Sequence, residues 1–447
     1  MQYVSKDRNF FNSLSFLLSK NGLKWKKMKE ILKKIIPSFL IDWYHFSLSL
    51  IGAILYGFPS RKIKVIGITG TNGKSTTVDL TTRILEEAGH RVASLSSIKF
   101  KIKEKEWPNE LKMTMPGRFK IKQFLRRAVN SGCQYAVIEV ASEGIKQHRH
   151  RFIDFKVAVF TNLTPEHIEA HGGFENYKAA KGSFFKSNKE IHIINIDDKN
   201  AEYFLQFPAE EKYVYGIENI PQNERWKFVR GKEVKTSSEG IDFSIGNVSF
   251  HLKLLGAFNV YNALAAVCVG LSQGIGLDIC KKALEKAEVV PGRMEEVISF
   301  PFRVFVDYAF TPNALEKAYQ AVKEGFNPSR MICVLGSCGG GRDIWKRPVL
   351  GGIAAKYCDE IIITNEDPYD EDPMKIIEQV AEGAKEKAKK ILDRREAISL
   401  AIKTARDNDA VILTGKGCEP WICLAKGKKA PWDERKIVKE EFNKIKS

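Results

Sequence analysis

The sequence predicts an α/β protein with a central domain built on a mostly parallel sheet, a C-terminal Rossmann-like α/β domain and a short, atypical N-terminal segment. From Lys62 onward, apolar runs of strand length alternate with helical segments, which is typical of parallel sheets covered by helices. A glycine-rich loop follows the first of these runs, and a second alternating series begins near Met294. We therefore divide the chain into residues 1–60, 61–293 and 294–447.

The composition indicates a globular protein of two or three domains. The chain has 447 residues, of which 44% are hydrophobic, enough for substantial cores. The eight cysteines are scattered without a CxxC pair, so neither a disulfide framework nor a zinc ribbon is indicated. Lys6, Asp7 and Arg8 interrupt the first apolar cluster, which argues against a secretory signal. We expect a cytoplasmic protein.

The formal net charge of +17 is partly concentrated at the N-terminus. Residues 1–34 contain nine Lys and Arg against Asp7 and Glu30. Because the excess is segregated and no nucleic-acid-binding signature accompanies it, we do not expect a nucleic-acid partner. An anionic substrate or anionic lipid is favoured instead.

A weakly polar, uncharged stretch from Trp43 to Ser60 follows this basic arm. It is marginal for a membrane span, which needs about 20 mostly apolar residues. Two interpretations remain open: the segment lies in a membrane interface, or it is a helix packed on the next domain. For residues 1–60 we predict peripheral, salt-sensitive membrane affinity rather than a span.

The secondary structure follows from the apolar periodicity. In the central domain the strands are expected in "KVIGITG", "RVASLSS", "YAVIEVAS", "VAVFTNL" and "IHIINID", with helices at 75–89, 118–131 and 174–186 and short antiparallel strands near 211–253. In the C-terminal domain the strands are expected in "FRVFVDYA", "RMICVLGS", "EIIITNED" and "DAVILTGKG", with helices at 312–325, 346–357 and 373–388.

The stretch "GITGTNGKSTT" has the order strand, loop, helix that a phosphate-binding loop requires. The general motif has a glycine where this chain has Ile68, but Gly70 and Gly73 still allow backbone N–H groups to face phosphate oxygens. Lys74 is placed to reach the β- and γ-phosphates, and the Ser75 hydroxyl to ligate Mg²⁺. An ordinary glycine-rich turn is the alternative. The motif predicts a P-loop ATPase domain.

Candidate metal ligands follow two later strands. Glu139 ends the strand "YAVIEV", and His167 and His171 lie just past the next strand in "TNLTPEHIEAH". Open α/β sheets bind ligands at the carboxyl ends of their strands. Singly, each residue has an ordinary structural explanation, an ion pair or a hydrogen-bonded loop histidine, but together they indicate a Mg²⁺ site.

These residues belong to a longer set of segments that resembles the Mur ligases, ATP-dependent amide-bond-forming enzymes of peptidoglycan synthesis. The matching segments include "GTNGKS", "TNLTPEHIEAHG", "YKAAK", "INIDD", "FNVYNALAA", "PGRME", "DYAFTPNALE", "GGGRDIWKRP", "DRREAI" and "GKGCE". Within the family, the likeness is greatest to the MurE type, the UDP-N-acetylmuramyl-tripeptide synthetases.

The resemblance implies roles for individual positions. The implied ATP-binding residues are Gly70, Thr71, Asn72, Gly73, Lys74, Ser75, Thr76, Asn259, Asn262, Arg293, Asp307 and Arg342. The implied catalytic residues are Lys74, Glu139, His167 and Lys181, and the implied metal ligands are Ser75, Glu139, His167 and Lys181. The implied substrate-binding residues are Thr114, Pro116, Ser142, Arg149, Asp367, Tyr369, Gly415 and Glu419. The implied cofactors are ATP, two Mg²⁺ ions and a carbamate formed on Lys181.

The implied reaction adds an amino acid to a UDP-MurNAc-L-Ala-D-Glu acceptor through an acyl phosphate, in a monomeric enzyme. Glu143, Phe310 and Cys418 stand where the family usually has histidine, and residues 1–60 are too short for its uridine-binding domain. A lipid-linked acceptor at the membrane and a non-catalytic nucleotide-binding subunit therefore remain alternatives. Tyr369 replaces the arginine of diaminopimelate-specific members in an acidic stretch, so we expect a basic amino acid such as L-lysine.

Overall fold

The computed structural model of the protein describes residues 37–111 and 113–446. The basic arm predicted within residues 1–34 lies outside the described residues. The expected α/β class is confirmed: one large, mostly parallel sheet precedes a second, smaller one. Each sheet is covered by helices on both faces.

Within the described residues, the first sheet has eleven strands in the order β11-β10-β9-β8-β7-β6-β1-β5-β2-β3-β4. The strands are β1 (Lys64–Thr69), β2 (Val92–Leu95), β3 (Lys99–Ile102), β4 (Lys105–Pro108), β5 (Tyr135–Glu139), β6 (Phe155–Phe160), β7 (Ile191–Asn195), β8 (Glu211–Gly216), β9 (Lys227–Ser237), β10 (Gly240–Ile245) and β11 (Val248–Leu252). The helices are α1 (Ser38–Leu55), α2 (Lys74–Glu87), α3 (Arg118–Asn130), α4 (Ser142–Lys146), α5 (Ile168–His171), α6 (Phe174–Ser187), α7 (Ala201–Leu205), α8 (Phe258–Ser272) and α9 (Leu277–Glu285).

The centre of this sheet is buried on both faces. Strand β1 lies between β5 and β6 in parallel register, and every residue of β1 after Lys64 is buried. Helices α2, α8 and α9 contribute to the core on one face, whereas α3, α6 and α7 contribute to the core on the other. Burial on both faces explains why these strands read as continuous apolar runs.

The antiparallel patch expected near residues 211–253 is only partly correct. Strand β8 pairs parallel with both β7 and β9, and antiparallel pairing begins between β9 and β10. The connection over residues 217–226 crosses from one end of β8 to the start of β9, so these consecutive strands do not form a hairpin.

The second sheet has the order β12-β13-β17-β14-β15-β16. Its strands are β12 (Glu295–Ile298), β13 (Arg303–Val306), β14 (Met331–Leu335), β15 (Glu360–Thr364), β16 (Ala388–Ile391) and β17 (Ala410–Leu413), and β18 (Trp421–Cys423) pairs with β19 (Lys429–Pro431) beside it. The helices of this region are α10 (Pro312–Phe326), α11 (Lys346–Tyr357), α12 (Pro373–Ala384), α13 (Arg394–Thr404) and α14 (Glu434–Lys446). All strand pairs except β12 with β13 are parallel in this sheet.

Candidate active site

A cavity of about 810 Å³ collects side chains from both sheet regions. The predicted site residues that line it are Gly70, Thr71, Asn72, Gly73, Lys74, Ser75, Thr76, Thr114, Glu139, Ser142, His167, Lys181, Asn259, Asn262, Arg293, Asp307, Arg342, Asp367, Tyr369, Gly415 and Glu419. Pro116 and Arg149 lie outside this lining. Arg149 instead donates a hydrogen bond to the carbonyl of Met115 and so holds the loop that carries Thr114.

The loop between β1 and α2 has the backbone of a phosphate cradle. Gly70 and Gly73 have φ angles of 150° and 81°, values that favour glycine. A Cβ at Gly70 would collide with the Thr161 hydroxyl, and one at Gly73 would collide with the Asn262 side chain. Both glycines are therefore required by space as well as by conformation. The Lys74 ammonium folds back onto the carbonyl of Thr71, at 2.8 Å.

Glu139, at the end of β5, is buried beside this loop. Its Oε2 accepts hydrogen bonds from the Ser75 hydroxyl at 2.9 Å and from the backbone N–H of Ser97 at 2.8 Å. Its Oε1 lies 3.8 Å from the Lys74 ammonium. A carboxylate and a hydroxyl thus adjoin the phosphate loop, and oxygen donors of this kind suit Mg²⁺.

Lys181, on α6, is a lysine buried in the floor of the cavity. Its Nζ donates to the carbonyl of Gly70 at 2.8 Å and lies 3.4 Å from the Thr69 hydroxyl and 4.9 Å from the Tyr177 ring centre. Burial lowers the pKa of Lys181 well below its usual value, and the nearby Lys74 charge lowers it further. Such an environment favours a neutral amine at this position.

His167 begins α5 in the left-handed conformation, with a φ of 57°. Burial lowers its pKa to about 2, with the charges of Arg342 and Lys346 acting in the same direction. Its imidazole is therefore neutral at physiological pH, as a metal ligand must be. The other candidate histidine, His171, contacts the Ser142 hydroxyl at 3.2 Å instead and does not line the cavity.

The residues present fit Mg²⁺ only as a mixed set. Among residues 37–111 and 113–446, no group of three or more His, Cys, Asp or Glu side chains is arranged to hold a metal. Ser75 and Glu139 offer oxygen donors and His167 a neutral nitrogen, so further oxygen donors, from water or from the protein, would complete the coordination.

The two asparagines of "FNVYN" are engaged with their own surroundings. Asn259 Nδ2 donates to the carbonyl of Leu255 at 2.8 Å, and Asn262 Nδ2 donates to Asn259 Oδ1 at 2.7 Å. Near them the lining includes further polar residues that the sequence analysis did not select: Asn195, Asp197, Asp198, Lys199, Asn200, Glu218, Tyr261 and Lys317. The segments "INIDD" and "TPNALE" could have indicated this part of the cavity lining, because both belong to the segments that match the family.

Two predicted residues, one in the C-terminal region and one at its boundary with the central region, lie in the loops around the cavity. Asp307 is buried and accepts hydrogen bonds from the backbone N–H groups of Met294 and Ala309, each at 2.7 Å. Burial raises the pKa of Asp307, while the charge of Arg293 opposes that rise. The Arg293 guanidinium lies over the Tyr308 ring, 4.4 Å from its centre.

The segment after β15 carries a buried acidic pair. Asp367 Oδ1 lies 3.1 Å from the buried Lys416 ammonium and accepts from the backbone N–H of Cys423 at 2.7 Å. Glu366 accepts from the Cys338 thiol at 2.8 Å through Oε1, whereas its buried Oε2 has no hydrogen-bond partner within the described chain. An unsatisfied buried carboxylate oxygen at a cavity wall indicates a ligand that donates there.

Several contacts that the sequence did not reveal join the two regions. The Lys346 ammonium lies 2.9 Å from Glu166, and both side chains are almost fully buried. Asp343 accepts hydrogen bonds from the backbone N–H groups of Ile168 and Glu169, at 3.2 and 3.0 Å, at the start of α5. The partners are about 180 residues apart, so no local pattern pairs them.

Two protein-family descriptions match successive parts of the chain. The description "Mur ligase middle domain" matches residues 68–270, and "Mur ligase, glutamate ligase domain" matches residues 292–417.

Two relatives are similar over most of their length. The UDP-N-acetylmuramoyl-L-alanyl-D-glutamate--2,6-diaminopimelate ligase of Syntrophomonas wolfei subsp. wolfei is 40% identical over 407 residues, which cover 88% of this chain and 81% of the relative. The UDP-N-acetylmuramyl-tripeptide synthetase of Roseiflexus sp. is 35% identical over 427 residues, covering 89% and 82%.

Solved structures show the same fold. A structure of UDP-N-acetylmuramoyl-L-alanyl-D-glutamate--2,6-diaminopimelate ligase has a TM-score of 0.57 at 28% identity, covering 86% of this chain and 79% of that one. Mycobacterium tuberculosis folylpolyglutamate synthase, complexed with ADP and AMPPCP, has a TM-score of 0.68 at 17% identity, covering 83% and 92%. The second likeness concerns the fold alone.

Proposed function

The chain belongs to the Mur ligase family, and we propose that it joins an amino acid to a UDP-MurNAc-L-Ala-D-Glu acceptor in peptidoglycan synthesis, using ATP. The observation that carries this proposal is the shared cavity. There the phosphate loop, Glu139 and Lys181 of the central region face Arg342 and Glu419 of the C-terminal region.

In the proposed reaction the acceptor carboxylate takes the γ-phosphoryl group of ATP, and the incoming amine then displaces phosphate. Phosphoryl transfer of this kind depends on positioning and on neutralising charge. We propose that Lys74 contacts the phosphates, and Arg293 at the domain boundary and Arg342 in the C-terminal region line the same cavity. Mg²⁺, when bound, supplies further neutralising charge, and Ser75 and Glu139 would hold it.

For the second Mg²⁺ we propose that Lys181 acts as a carbamate rather than as an ammonium. Its burial, its lowered pKa and its hydrogen bond to the carbonyl of Gly70 support this role. Carbamylation of the neutral amine would convert the position into an oxygen donor, which is what the mixed ligand set with His167 lacks.

The Lys181 proposal is tested by Lys181→Ala, with Lys186→Ala as the matched control because Lys186 is an exposed lysine of the same helix. We expect Lys181→Ala to abolish ligation without unfolding the protein, short carboxylates to restore part of the activity, and Lys186→Ala to remain active. Isotope-labelled bicarbonate should give a carbamate signal that Lys181→Ala lacks. Undiminished activity in Lys181→Ala or Lys181→Arg rejects the role.

The acceptor is proposed to be UDP-linked. The names of both relatives contain a UDP-linked muramyl compound. Neither name favours the lipid-linked or the non-catalytic alternative. The decisive assay measures Mg²⁺-dependent ADP release and product mass with UDP-linked and lipid-linked acceptors in parallel. ADP release that requires neither acceptor nor amino acid would count against a ligase. If only the lipid-linked compound is turned over, the acceptor is lipid-linked and not UDP-linked.

For the incoming amino acid, two findings weigh against the sequence-based preference for L-lysine. Lys416 already pairs with Asp367, so the stretch is less acidic than its sequence indicates, and the Syntrophomonas relative is named for 2,6-diaminopimelate. We propose diaminopimelate, with the unpaired Glu366 Oε2 accepting a hydrogen bond from its ammonium.

The ratio of kcat/KM for diaminopimelate to that for L-lysine tests this assignment. Wild type should prefer diaminopimelate, and Tyr369→Arg should raise the ratio by about tenfold, because a guanidinium binds a carboxylate with two charge-assisted hydrogen bonds. Tyr369→Phe is the control and should leave the ratio near the wild-type value. A wild-type preference for L-lysine refutes the assignment.

The compartment and oligomeric state complete the proposal. ATP as co-substrate supports a cytoplasmic reaction, and we propose a monomeric enzyme. Sedimentation of the purified chain over a range of concentrations tests the second point.

A further inference from the structure

The outward face of α1 is apolar. Its exposed side chains form a stripe that we call the α1 stripe: Phe39, Leu40, Trp43, Tyr44, Ile51, Ile54 and Leu55. Residues spaced by three or four positions share one side of a helix, so these side chains form a continuous surface. Trp43 is 69% exposed and Leu55 is 67% exposed. Contiguous exposed apolar surface of this kind marks an interaction site.

Two polar side chains of α1 contact the rest of the domain instead. Asp42 contacts His148 at 2.7 Å, and Ser49, which is fully buried, accepts a hydrogen bond from the Lys122 ammonium at 2.9 Å. Lys122 also donates to the carbonyl of Arg151 at 2.8 Å. The expectation that this segment packs on the next domain describes the inward face, where Ser49 and Ala53 are buried, whereas the stripe stays exposed.

The inward contacts fix the orientation of the stripe relative to the domain. Lys122 belongs to α3, and it donates a further hydrogen bond to the carbonyl of Arg149 at 3.0 Å. Arg149 in turn holds the loop with Thr114 at the cavity. The stripe is therefore presented on a rigid support that also carries one wall of the cavity.

Charge around the stripe identifies its partner. Arg61, Lys62 and Lys64 are exposed just after α1, and residues 1–34 carry a net charge of +7 just before it. Within α1 the one acidic residue, Asp42, is turned toward His148. A second copy of the chain, or residues 1–34 folded back, would bring positive charge against positive charge at this surface.

We propose that the α1 stripe lies in the interface of a membrane containing anionic lipids, with α1 parallel to the surface. Trp and Tyr side chains favour the headgroup level, apolar side chains reach the acyl boundary, and flanking basic residues attract anionic headgroups. In the described part of the chain, no helix has the length and apolarity to cross a bilayer. The inference does not depend on the proposed ligase reaction.

Co-sedimentation of the full chain with vesicles tests the proposal. Wild type should bind vesicles of phosphatidylcholine and phosphatidylglycerol at low salt, and raising the salt to about 1 M should release it because charge is screened. Trp43→Ser with Ile54→Ser should weaken binding at least about tenfold, since two large apolar side chains leave the interface. The matched control is Ile220→Ser, which removes an equally exposed isoleucine elsewhere.

A second measurement is independent of the folding of the double variant. Brominated phosphatidylglycerol should quench part of the wild-type tryptophan fluorescence, and Trp43→Phe should abolish that part. Absence of binding at low salt, equal binding to phosphatidylcholine alone or unchanged binding of the double variant would overturn the proposal. So would a concentration-dependent dimer in wild type that the double variant loses, because the stripe would then bind a second copy.

Discussion

The buried ion pair between Lys346 and Glu166 gives a measurable link between the two regions of the molecule. Lys346→Met keeps the length of the side chain and removes its charge, so the Glu166 carboxylate stays buried without its partner. The two side chains are 2% and 3% exposed, and leaving one charge of such a pair unpaired costs about 3–5 kcal/mol. The control is Lys356→Met: its pair with Glu316 is as short, 2.8 Å, but exposed, and its loss should change stability far less because the pair is screened by solvent.

The loss should also depend on pH. Burial raises the pKa of Glu166, and the Lys346 charge opposes that rise, so Lys346→Met should raise the pKa further. A carboxyl group with a raised pKa binds more protons in the folded than in the unfolded state. Stability therefore falls as pH rises from the unfolded to the folded pKa. The deficit of Lys346→Met relative to wild type should be small in acid and grow as pH rises.

Urea unfolding of wild type and the two variants at several pH values measures both effects. Lys346→Met combined with Glu166→Leu should recover most of the lost stability, because an apolar pair of similar volume carries no uncompensated charge. The reasoning is refuted if Lys346→Met and Lys356→Met lose equally little, or if the deficit of Lys346→Met is the same at every pH.

Two further predictions concern the phosphate loop and the attachment of α1. Gly73→Ala should weaken ATP binding strongly in a nucleotide titration, because the added Cβ would collide with Asn262. The control is Gly89→Ala, which should leave ATP binding unchanged because Gly89 has a similar φ of 84° but open space where the Cβ would lie. Equal effects of the two substitutions would exclude the Asn262 collision as the cause. Burial lowers the pKa of Lys122 in the folded state to about 7. Between about pH 7 and about pH 10 the unfolded state therefore binds more protons than the folded state, so the free energy of unfolding should rise with pH over this range. Lys122→Met should remove this slope in urea titrations and the exposed Lys120→Met should keep it; a slope that survives in Lys122→Met would contradict the assignment.

The centre of the site was predictable because parallel strands place their carboxyl ends at one edge. Ile68 of β1 pairs with Glu139 of β5, so the loop that follows β1 necessarily begins beside that carboxylate. The sequence pattern identifies both strands as buried strands of one parallel sheet. Proximity of the phosphate loop to Glu139 thus follows from periodicity and motif, without knowledge of tertiary contacts.

The orientation of α1 was not predictable in the same way. Periodicity shows that a helix has two faces, and the hydrophobic effect favours burying the apolar one. Here Ser49 is buried because Lys122 supplies a partner for it, and the exposed Asp42 contacts His148; both partners come from segments about 70 to 110 residues later. Polar contacts between residues far apart in the sequence influence which face of α1 is buried. The local sequence of α1 does not show these contacts.

The contacts between the two regions bear on the chemistry itself. Asp343 accepts the backbone N–H groups of Ile168 and Glu169, which directly follow His167, and the Thr311 hydroxyl lies 3.4 Å from the Asn72 side chain in the phosphate loop. Any shift of the C-terminal region therefore changes the backbone that positions the His167 imidazole. It also changes the contacts of the phosphate loop. Because a ligand held by both regions favours their association, we predict that ATP binding and domain association are thermodynamically linked in this chain.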